Sequence, residues 1–390
     1  MIFQAMGARY SLGRALRVFF ATGTAADTRR LKRELFLRYE GEVTVYRKGR
    51  AALAEAIRLA TGGTGEVAIS GLTCYSVVQA VEAAGCTPVY VDINEEKLNF
   101  GEVELTKAYK KHPAIRAIVI QNMLGIPADI KAIESFARKH ELPIIEDLAH
   151  SAGSRYADGR EVGTIGDFTM LSFGRDKALD AVNGGALIVR STGYPRAHEP
   201  RRAVRLGDQI RDRIYPLLAW KARKLYPIGL GRYLMAGALK LKLVIRSADG
   251  AVIVDEGLPR WQARLACDEL MRLDQTVRER RSIVSCYEKH HIEGVLPAAF
   301  GSGVSLVRLP VLRDDRDALV RRLSMAGIQA NDIWYDIPVS PQRFYNRTNF
   351  PTDECPVAVR VAAQLMNLPT HRNISTADVK RIAEVLGEKR

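Results

Sequence analysis

The sequence predicts an α/β protein: a large domain with a mostly parallel sheet covered by helices, then a smaller α+β domain at the C-terminal end. Three observations carry that expectation. Apolar strand-like runs alternate with helical stretches from residue 43 to 190, as a sheet with crossover helices requires. One of those runs, Ile144-Ile145, stops abruptly at two carboxylates, Glu146 and Asp147, as a buried parallel strand does where its polar residues meet the carboxyl edge of the sheet. The chain, at 390 residues, is long enough for a large core and a second, smaller one. The expected division is an N-terminal arm and helix over 1–40, the large domain over 41–206, a basic, apolar helical insert over 207–250, and a long helix with the small domain over 251–390.

The elements follow from local pattern. Asp27 to Tyr39 reads as a helix, with Leu31, Leu35 and Phe36 at helical spacing. Val43–Tyr46 is a short strand; Arg47-Lys48-Gly49-Arg50 follows, and a helix runs from Ala51 to Leu59. A strand, a glycine turn and a helix N-terminus together make an anion site, because free backbone N–H groups and the helix dipole converge on the loop. Gly49, Arg50 and Ala51 are the candidates there; an exposed basic turn is the plain alternative. Glu66–Ser70 and Pro88–Asp92 are strands around a helix from Ser76 to Ala84 that Gly85 stops. Ala117–Ile120 is a strand, Ile130–His140 a helix with Ile133 and Phe136 facing inward, and Pro143 leads into the strand ending at Asp147. Phe168–Phe173 and Ala186–Val189 complete the sheet. A long helix begins near Pro259 and runs through Leu273 towards Tyr287. Gly303–Leu312 is a strand, Arg316–Ala326 a helix, Gly327 a turn into another strand, and Thr376–Leu386 a closing helix.

Between the strands at Phe168 and Ala186 sits Lys177, in a loop. A carboxylate at one strand end and a lysine in a following loop suit pyridoxal phosphate, which needs a lysine to hold it as a Schiff base and a carboxylate to keep its ring nitrogen protonated. Taken singly, Asp147 reads as well as a helix N-cap and Lys177 as a solvated lysine; the set together points to the cofactor.

The stretch Glu146-Asp147-Leu-Ala-His150, Ser172-Phe173-x-x-x-Lys177 and Asn183-Gly184-Gly185 resembles the DegT/StrS family of pyridoxal-phosphate-dependent sugar aminotransferases, which have the fold-type-I architecture. The resemblance implies that Lys177 binds the cofactor and moves the proton, that Asp147 pairs with the ring nitrogen, that His150 lies near the phenolic oxygen, and that Ser172 bonds the phosphate. It also separates this chain from relatives that became sugar dehydratases, which carry histidine in place of this lysine. Departures are visible. The family's Ser-Gly-Thr phosphate loop is Lys48-Gly49-Arg50 here, so guanidinium charge stands in for a hydroxyl. The aromatic residue expected to stack on the ring has no exact counterpart after Thr73-Cys74, which leaves Tyr75 as the candidate and core packing as its alternative. The Asn of a Gly-x-Asn-x-Arg motif, which in the family reaches the partner subunit's phosphate, is absent, with Asp255 nearby.

Composition narrows the class. Hydrophobic content of 47% and charged content of 26% are ordinary for a globular enzyme. Five dispersed cysteines imply a reducing compartment. The adjacent His290 and His291, expected within a helix, point to different faces, so no metal site is read there. No run reaches the length of a spanning helix, and arginines at 9, 14 and 17 break up any signal-like core. The net charge of +14 is uneven: from Arg201 to Gly250 there are twelve Lys/Arg against three Asp. Apolar, aromatic and basic residues interleave there, and Pro216 and Pro227 are expected to cut the segment into short helices. Two readings stand for it: a helix lying flat on an anionic membrane through residues 210–246, or a helical cover over a dimer or the active-site mouth. Nucleic acid is not expected, since no recognition motif accompanies the charge.

The expected function is therefore amino transfer, from glutamate, to a keto-sugar carried on a nucleotide, by a cytoplasmic homodimer; donor, substrate class and dimer come from the resemblance. The rivals are a membrane-peripheral relative with a lipid-linked acceptor and a degenerate, non-catalytic binding homologue.

Overall fold

The computed structural model describes residues 1–387. The chain opens with β1 (Ile2–Phe3), α1 (Leu12–Phe19) and α2 (Ala25–Tyr39). The side chain of Ser11 caps α1 by accepting from the Arg14 N–H at 3.2 Å, and Asp27 closes a capping box on Thr24 at the start of α2. Leu31 and Leu35 are buried as expected, but Phe36 is 53% exposed, one position round from the buried stripe.

The large sheet takes β2 (Glu42–Tyr46), then α3 (Gly49–Thr61), β3 (Glu66–Ser70), the short β4 (Thr73–Cys74), α4 (Tyr75–Ala83), β5 (Thr87–Val91), α5 (Glu102–Lys111), β6 (Ile115–Ile120), α6 (Ile130–Lys139), β7 (Ile144–Asp147), β8 (Phe168–Ser172) and β9 (Gly185–Val189). Its seven strands lie in the order β2-β9-β8-β7-β6-β3-β5. Only β9 runs against its neighbours, pairing antiparallel with both β8 and β2. The remaining pairs are parallel, which is why their strands read as nearly continuous apolar runs. Ile133 and Phe136 of α6 are buried against the sheet.

The insert departs from its expected form. Pro216 does not divide it: α7 (Leu206–Leu225) is one helix of 20 residues with Pro216 inside, both Asp212 and Pro216 being buried. A proline costs one backbone hydrogen bond and local crowding, and here the buried face of α7 against α1 offsets that cost. The break falls at Pro227, in a 3₁₀ turn, before α8 (Leu230–Lys240).

The long helix is two helices, α9 (Arg260–Met271) and α10 (Leu273–Glu288), separated at Arg272, where ψ is 2°. His290 and His291 lie beyond the end of α10, so the expectation that they sit within a helix is corrected; His291 has a positive φ of 46°. The C-terminal layer contains β10 (Arg308–Leu312), α11 (Arg316–Met325), β11 (Ile328–Gln329), β12 (Val339–Ser340), α12 (Pro356–Gln364), β13 (Leu365–Pro369) and α13 (Thr376–Leu386). β10 pairs antiparallel with β13, and β10 starts at Arg308, later than the expected Gly303. Two pairings stitch distant parts together: β1 runs parallel to β11, and β12 runs parallel to β4 beside the large sheet. The N-terminal arm is thus part of the C-terminal layer's edge.

Candidate active site

The two carboxylates at the end of β7 have opposite fates, because successive strand residues face opposite sides. Glu146 points under the sheet, where it accepts from the Tyr156 hydroxyl at 2.8 Å and the N–H groups of Gly163 (2.6 Å), Ile165 (2.8 Å) and Gly166 (2.6 Å). Those four donors fold the 156–166 loop around it, a structural task. Asp147 faces a cavity of about 460 Å³ and accepts one hydrogen bond, from the Ala149 N–H at 2.9 Å. Burial raises its pKa to about 6, against the lowering effects of that N–H and of Lys177.

Lys177 lines the same cavity. Burial lowers the pKa of its amine, reinforced by Arg308 and opposed by Cys74, Asp147 and Asp176, with its Nζ 4.4 Å from the centre of the Trp334 ring. Its loop is held from the far N-terminus: Arg9 donates to the Lys177 carbonyl and pairs with Glu269 at 3.2 Å. Tyr10 donates to Asp180 at 2.7 Å three residues further on. His150 also lines the cavity. Its Nδ1 accepts from the Leu124 N–H at 3.3 Å, which puts the ring proton on Nε2, 3.2 Å from the Tyr335 hydroxyl. Burial, then Lys177 and Arg308, push its pKa well down, so it is neutral. Its ring stacks on Trp334 at 5.2 Å between centroids and 22° between planes.

At the opposite end of the cavity, the N-terminus of α3 meets Ser172 and the Asn183-Gly184-Gly185 turn. The approach is close enough that a Cβ on Gly49 would sit 3.0 Å from that of Ser172, and one on Gly185 would fall 2.5 Å from the Gly49 Cα. Glycine at both positions lets the helix start lie flat on the strand end. Gly49, Arg50 and Ser172 line the cavity; Ala51 does not, and its N–H is spent on the Lys48 carbonyl at 3.1 Å. Arg50 is also committed elsewhere. Its guanidinium donates to the carbonyls of Ser247 (2.9 Å), Ala248 (3.1 Å), Asp249 (2.7 Å) and Gly250 (3.3 Å), the strap that ends the insert. Arg50 therefore fastens a cavity wall rather than aiming its charge inward.

Tyr75 is corrected in the same way. It lies outside the cavity lining, with its ring stacked on Phe344 at 4.5 Å and 18°. Beginning α4 directly after Cys74 turns it away from the site. The aromatic residues that do line the cavity are Trp334 and Tyr335; Trp334 is contacted by His150, Lys177 and, at 3.9 Å, the buried Arg308. Sequence reasoning missed Trp334, Tyr335 and Arg308; the only signal was two adjacent aromatics in a polar loop of the C-terminal layer. Asp255 is at the surface, accepting from the Arg201 N–H at 2.9 Å and contacting His198 at 3.0 Å.

Beside the α3 N-terminus a second cavity, of about 340 Å³, shares Lys48, Arg50, Arg175, Asn183 and Arg246 with the first and continues to Arg202, Arg205 and Arg211. Asp212 of α7 pairs with Arg47 there and accepts from Asn183 at 2.9 Å. Arg47 Nη1 and Arg175 Nε are buried without a hydrogen-bond partner among the described residues. Lys48, pressed by burial and by Arg50 and Arg47, is lowered to about 8. The region is short of anions.

The DegT/DnrJ/EryC1/StrS aminotransferase family's sequence model matches residues 34–198 and 255–387. The chain belongs to this family. The DegT-family match leaves 199–254 uncovered, the stretch that contains α7 and α8. Among relatives, a UDP-N-acetyl-3-dehydro-α-D-glucosamine 3-aminotransferase of Acidithiobacillus ferrooxidans is 26% identical over 342 residues, 87% of this chain and 81% of the relative. A GDP-perosamine synthase of Caulobacter vibrioides is 23% identical, covering 85% and 81%. An L-glutamine:2-deoxy-scyllo-inosose aminotransferase of Micromonospora echinospora is 35% identical over a shorter span, 40% of this chain and 36% of that one. A family aminotransferase from Brucella abortus shares the fold at a TM-score of 0.71 and 19% identity, covering 96% and 94% of the two chains. The protein is thus an aminotransferase of the pyridoxal-phosphate-dependent class, with the fold-type-I architecture.

The cavity fits that cofactor on its own terms. A buried carboxylate with one hydrogen bond, a buried amine, and a helix N-terminus pressed against a serine lie around one space of a size usual for small ligands. Among the described residues no group of three or more His, Cys, Asp or Glu could hold a metal ion, and no helix is long and apolar enough to cross a membrane.

Proposed function

We propose that the chain binds pyridoxal 5'-phosphate in the cavity between β7, the Lys177 loop and α3, and transfers an amino group from glutamate to a keto-sugar carried by a nucleotide. The observation that carries this is the convergence of Asp147, Lys177 and the Gly49–Ser172 cradle on one buried space. The cofactor supplies an electron sink for amino-group chemistry. Asp147 offers its carboxylate to the ring nitrogen. Burial holds the Lys177 amine in the neutral form more readily than in water, so its Nζ can take up a proton and return it. His150, neutral and fixed by Leu124 and Tyr335, orients the opposite rim, and the Trp334 indole lies against both His150 and Lys177. Gly49 and Arg50 backbone N–H groups at the α3 start, with Ser172, take the phosphate.

The adjoining basic cavity supports a diphosphate-bearing acceptor, since Arg205, Arg211 and Arg246 continue the positive lining outward from the cofactor end. Relatives named for UDP- and GDP-linked sugars agree in class. Five free cysteines support a reducing, cytoplasmic setting, and the family resemblance supports a homodimer. The test is a panel of UDP-, GDP- and dTDP-linked keto-sugars with glutamate or glutamine, read by mass. A gain of one amino group on a nucleotide sugar supports the reading; amination of free keto-sugars alone would reject the nucleotide, and product from glutamine alone would reject the donor.

A further inference from the structure

The insert uses its two helices differently. On α7 three charged residues turn inward. Arg213 donates to the carbonyls of Phe19 (2.9 Å) and Ala21 (2.7 Å), Arg223 to Met6 (2.6 Å) and to Gly7 and Tyr10, and Asp212 anchors Arg47. On α8 and the segment after it the charges turn outward. From Arg213 to Ala248 the sequence has no carboxylate; Arg232, Lys240, Lys242 and Arg246 are exposed there, as are Lys221 and Lys224 in the last turns of α7.

The exposed residues between these cations are apolar. Leu230, Tyr233, Gly237 and Lys240 recur at three- and four-residue spacing and so share one face of α8, away from the buried Gly231 and Ala238. Exposure reaches 68% at Ile228, 54% at Leu230, 64% at Tyr233, 72% at Leu241 and 43% at Leu243. Lys240-Leu241-Lys242-Leu243 alternates cation and leucine at the helix end, where Lys242 takes a positive φ of 55°. A protein interior would cover these leucines, and an acidic protein partner would need only the lysines. The combination of protruding leucines, an interfacial tyrosine and exposed charge of a single sign matches a layer with an apolar interior and anionic headgroups.

We propose that α8 and residues 241–245 form a docking surface for an anionic lipid bilayer, with Tyr233, Leu241 and Leu243 entering the headgroup region and Lys240 and Lys242 meeting lipid phosphates. The chain reaches the wall of the cofactor cavity at Arg246, three residues beyond Leu243, so that wall lies within roughly 10 Å of the docking face. The surface belongs to the stretch that the family match leaves uncovered. The proposal does not rest on the identity of the sugar acceptor.

The test is flotation of the purified holoenzyme with vesicles of phosphatidylcholine alone or mixed with phosphatidylglycerol, with light scattering to record oligomeric state. Expected results are flotation with the anionic vesicles only and about thirtyfold weaker binding for Lys240→Glu/Lys242→Glu. Leu241→Asp/Leu243→Asp should weaken binding at least about tenfold, with bound-cofactor absorbance and oligomeric state unchanged. Absence of flotation with anionic vesicles at low salt overturns the proposal. So does flotation that neither pair of substitutions weakens. If Leu241→Asp/Leu243→Asp instead splits an oligomer, the face is a contact between copies of the chain and the proposal is wrong.

Discussion

Asp147 and Lys177 reach the cavity from a strand end and a loop of one sheet, whereas another part of its wall, at residues 246–248, is brought from a helix pair outside the sheet. The floor is held by backbone ladders, with β7 paired to β8 and β8 to β9. The wall is held by side chains: Arg50 bonds four carbonyls of the strap, Arg175 donates to the Ile245 carbonyl at 2.9 Å, and Arg343 pairs with Asp249 at 2.7 Å. A ladder tolerates substitution because its bonds are made by the main chain; a wall clamped by guanidinium groups depends on each one. The proposed chemistry resides in the floor, and the fit between domain and insert resides in the wall.

Substitutions can separate the two. The largest effect is expected at the floor. Lys177→Ala should lower turnover by roughly 10²–10⁴-fold or more, remove the visible absorbance of covalently held cofactor, and leave the circular dichroism unchanged. Full turnover with an unaltered spectrum would remove Lys177 from the chemistry.

The next largest should fall where floor and wall meet. Asp212→Ala leaves Arg47 buried without its partner, and a loss of about 3–5 kcal/mol in urea unfolding is expected. Breaking the looser Arg202–Glu256 pair, 3.8 Å apart with the Arg202 side chain half-exposed, by Arg202→Ala should cost less than about 1 kcal/mol. Equal costs would mean that the insert is not clamped through Asp212.

Asp147 gives a pH-dependent signature. Its folded pKa of about 6 lies above the ordinary carboxylate value, so the folded chain holds a proton there that the unfolded chain has released between about pH 4 and 6. Stability of the cofactor-free protein therefore falls as pH rises through that window, and the penalty is complete above it. Asp147→Asn should be more stable than the parent by about 3 kcal/mol at pH 8 and equal to it below pH 4. A variant that is equally or less stable at pH 8 would show that the carboxylate is not desolvated.

The smallest effect concerns the aromatic rings. Tyr75→Leu should cost about 1 kcal/mol through the lost stack on Phe344, with cofactor affinity unchanged. Trp334→Leu should weaken cofactor binding with little change in stability. The reverse pattern would return Tyr75 to the cofactor ring.

The strands of the large sheet, most of the helices between them (α5 excepted) and the four residues Asp147, His150, Ser172 and Lys177 that line one cavity were visible in the chain because each rests on short-range pattern. An apolar run ended by acids, a glycine pair and fixed spacing along one stretch are all properties of neighbours in sequence. Even the distinct roles of Glu146 and Asp147 follow from strand alternation once the sheet exists. What local pattern could not give was where long side chains go. Arg9 holds the Lys177 carbonyl from 168 positions away, and Arg50 turns from the α3 N-terminus to the strap. Tyr75 pairs with Phe344, and Trp334 enters the cavity from the C-terminal layer. Pro216 reads as a helix breaker and lies inside a helix, because burial against α1 offsets its local cost.

By itself, then, the sequence determined the alternating sheet, the acid and the amine at its edge, and an insert rich in cations. The tertiary structure decided which arginines fasten backbone and which cations remain facing outward, and which aromatic ring lines the site. The physical reason is reach: a backbone ladder is specified by residues next to one another, while a guanidinium or an indole takes the partner that folding brings within a few ångströms, however distant along the chain.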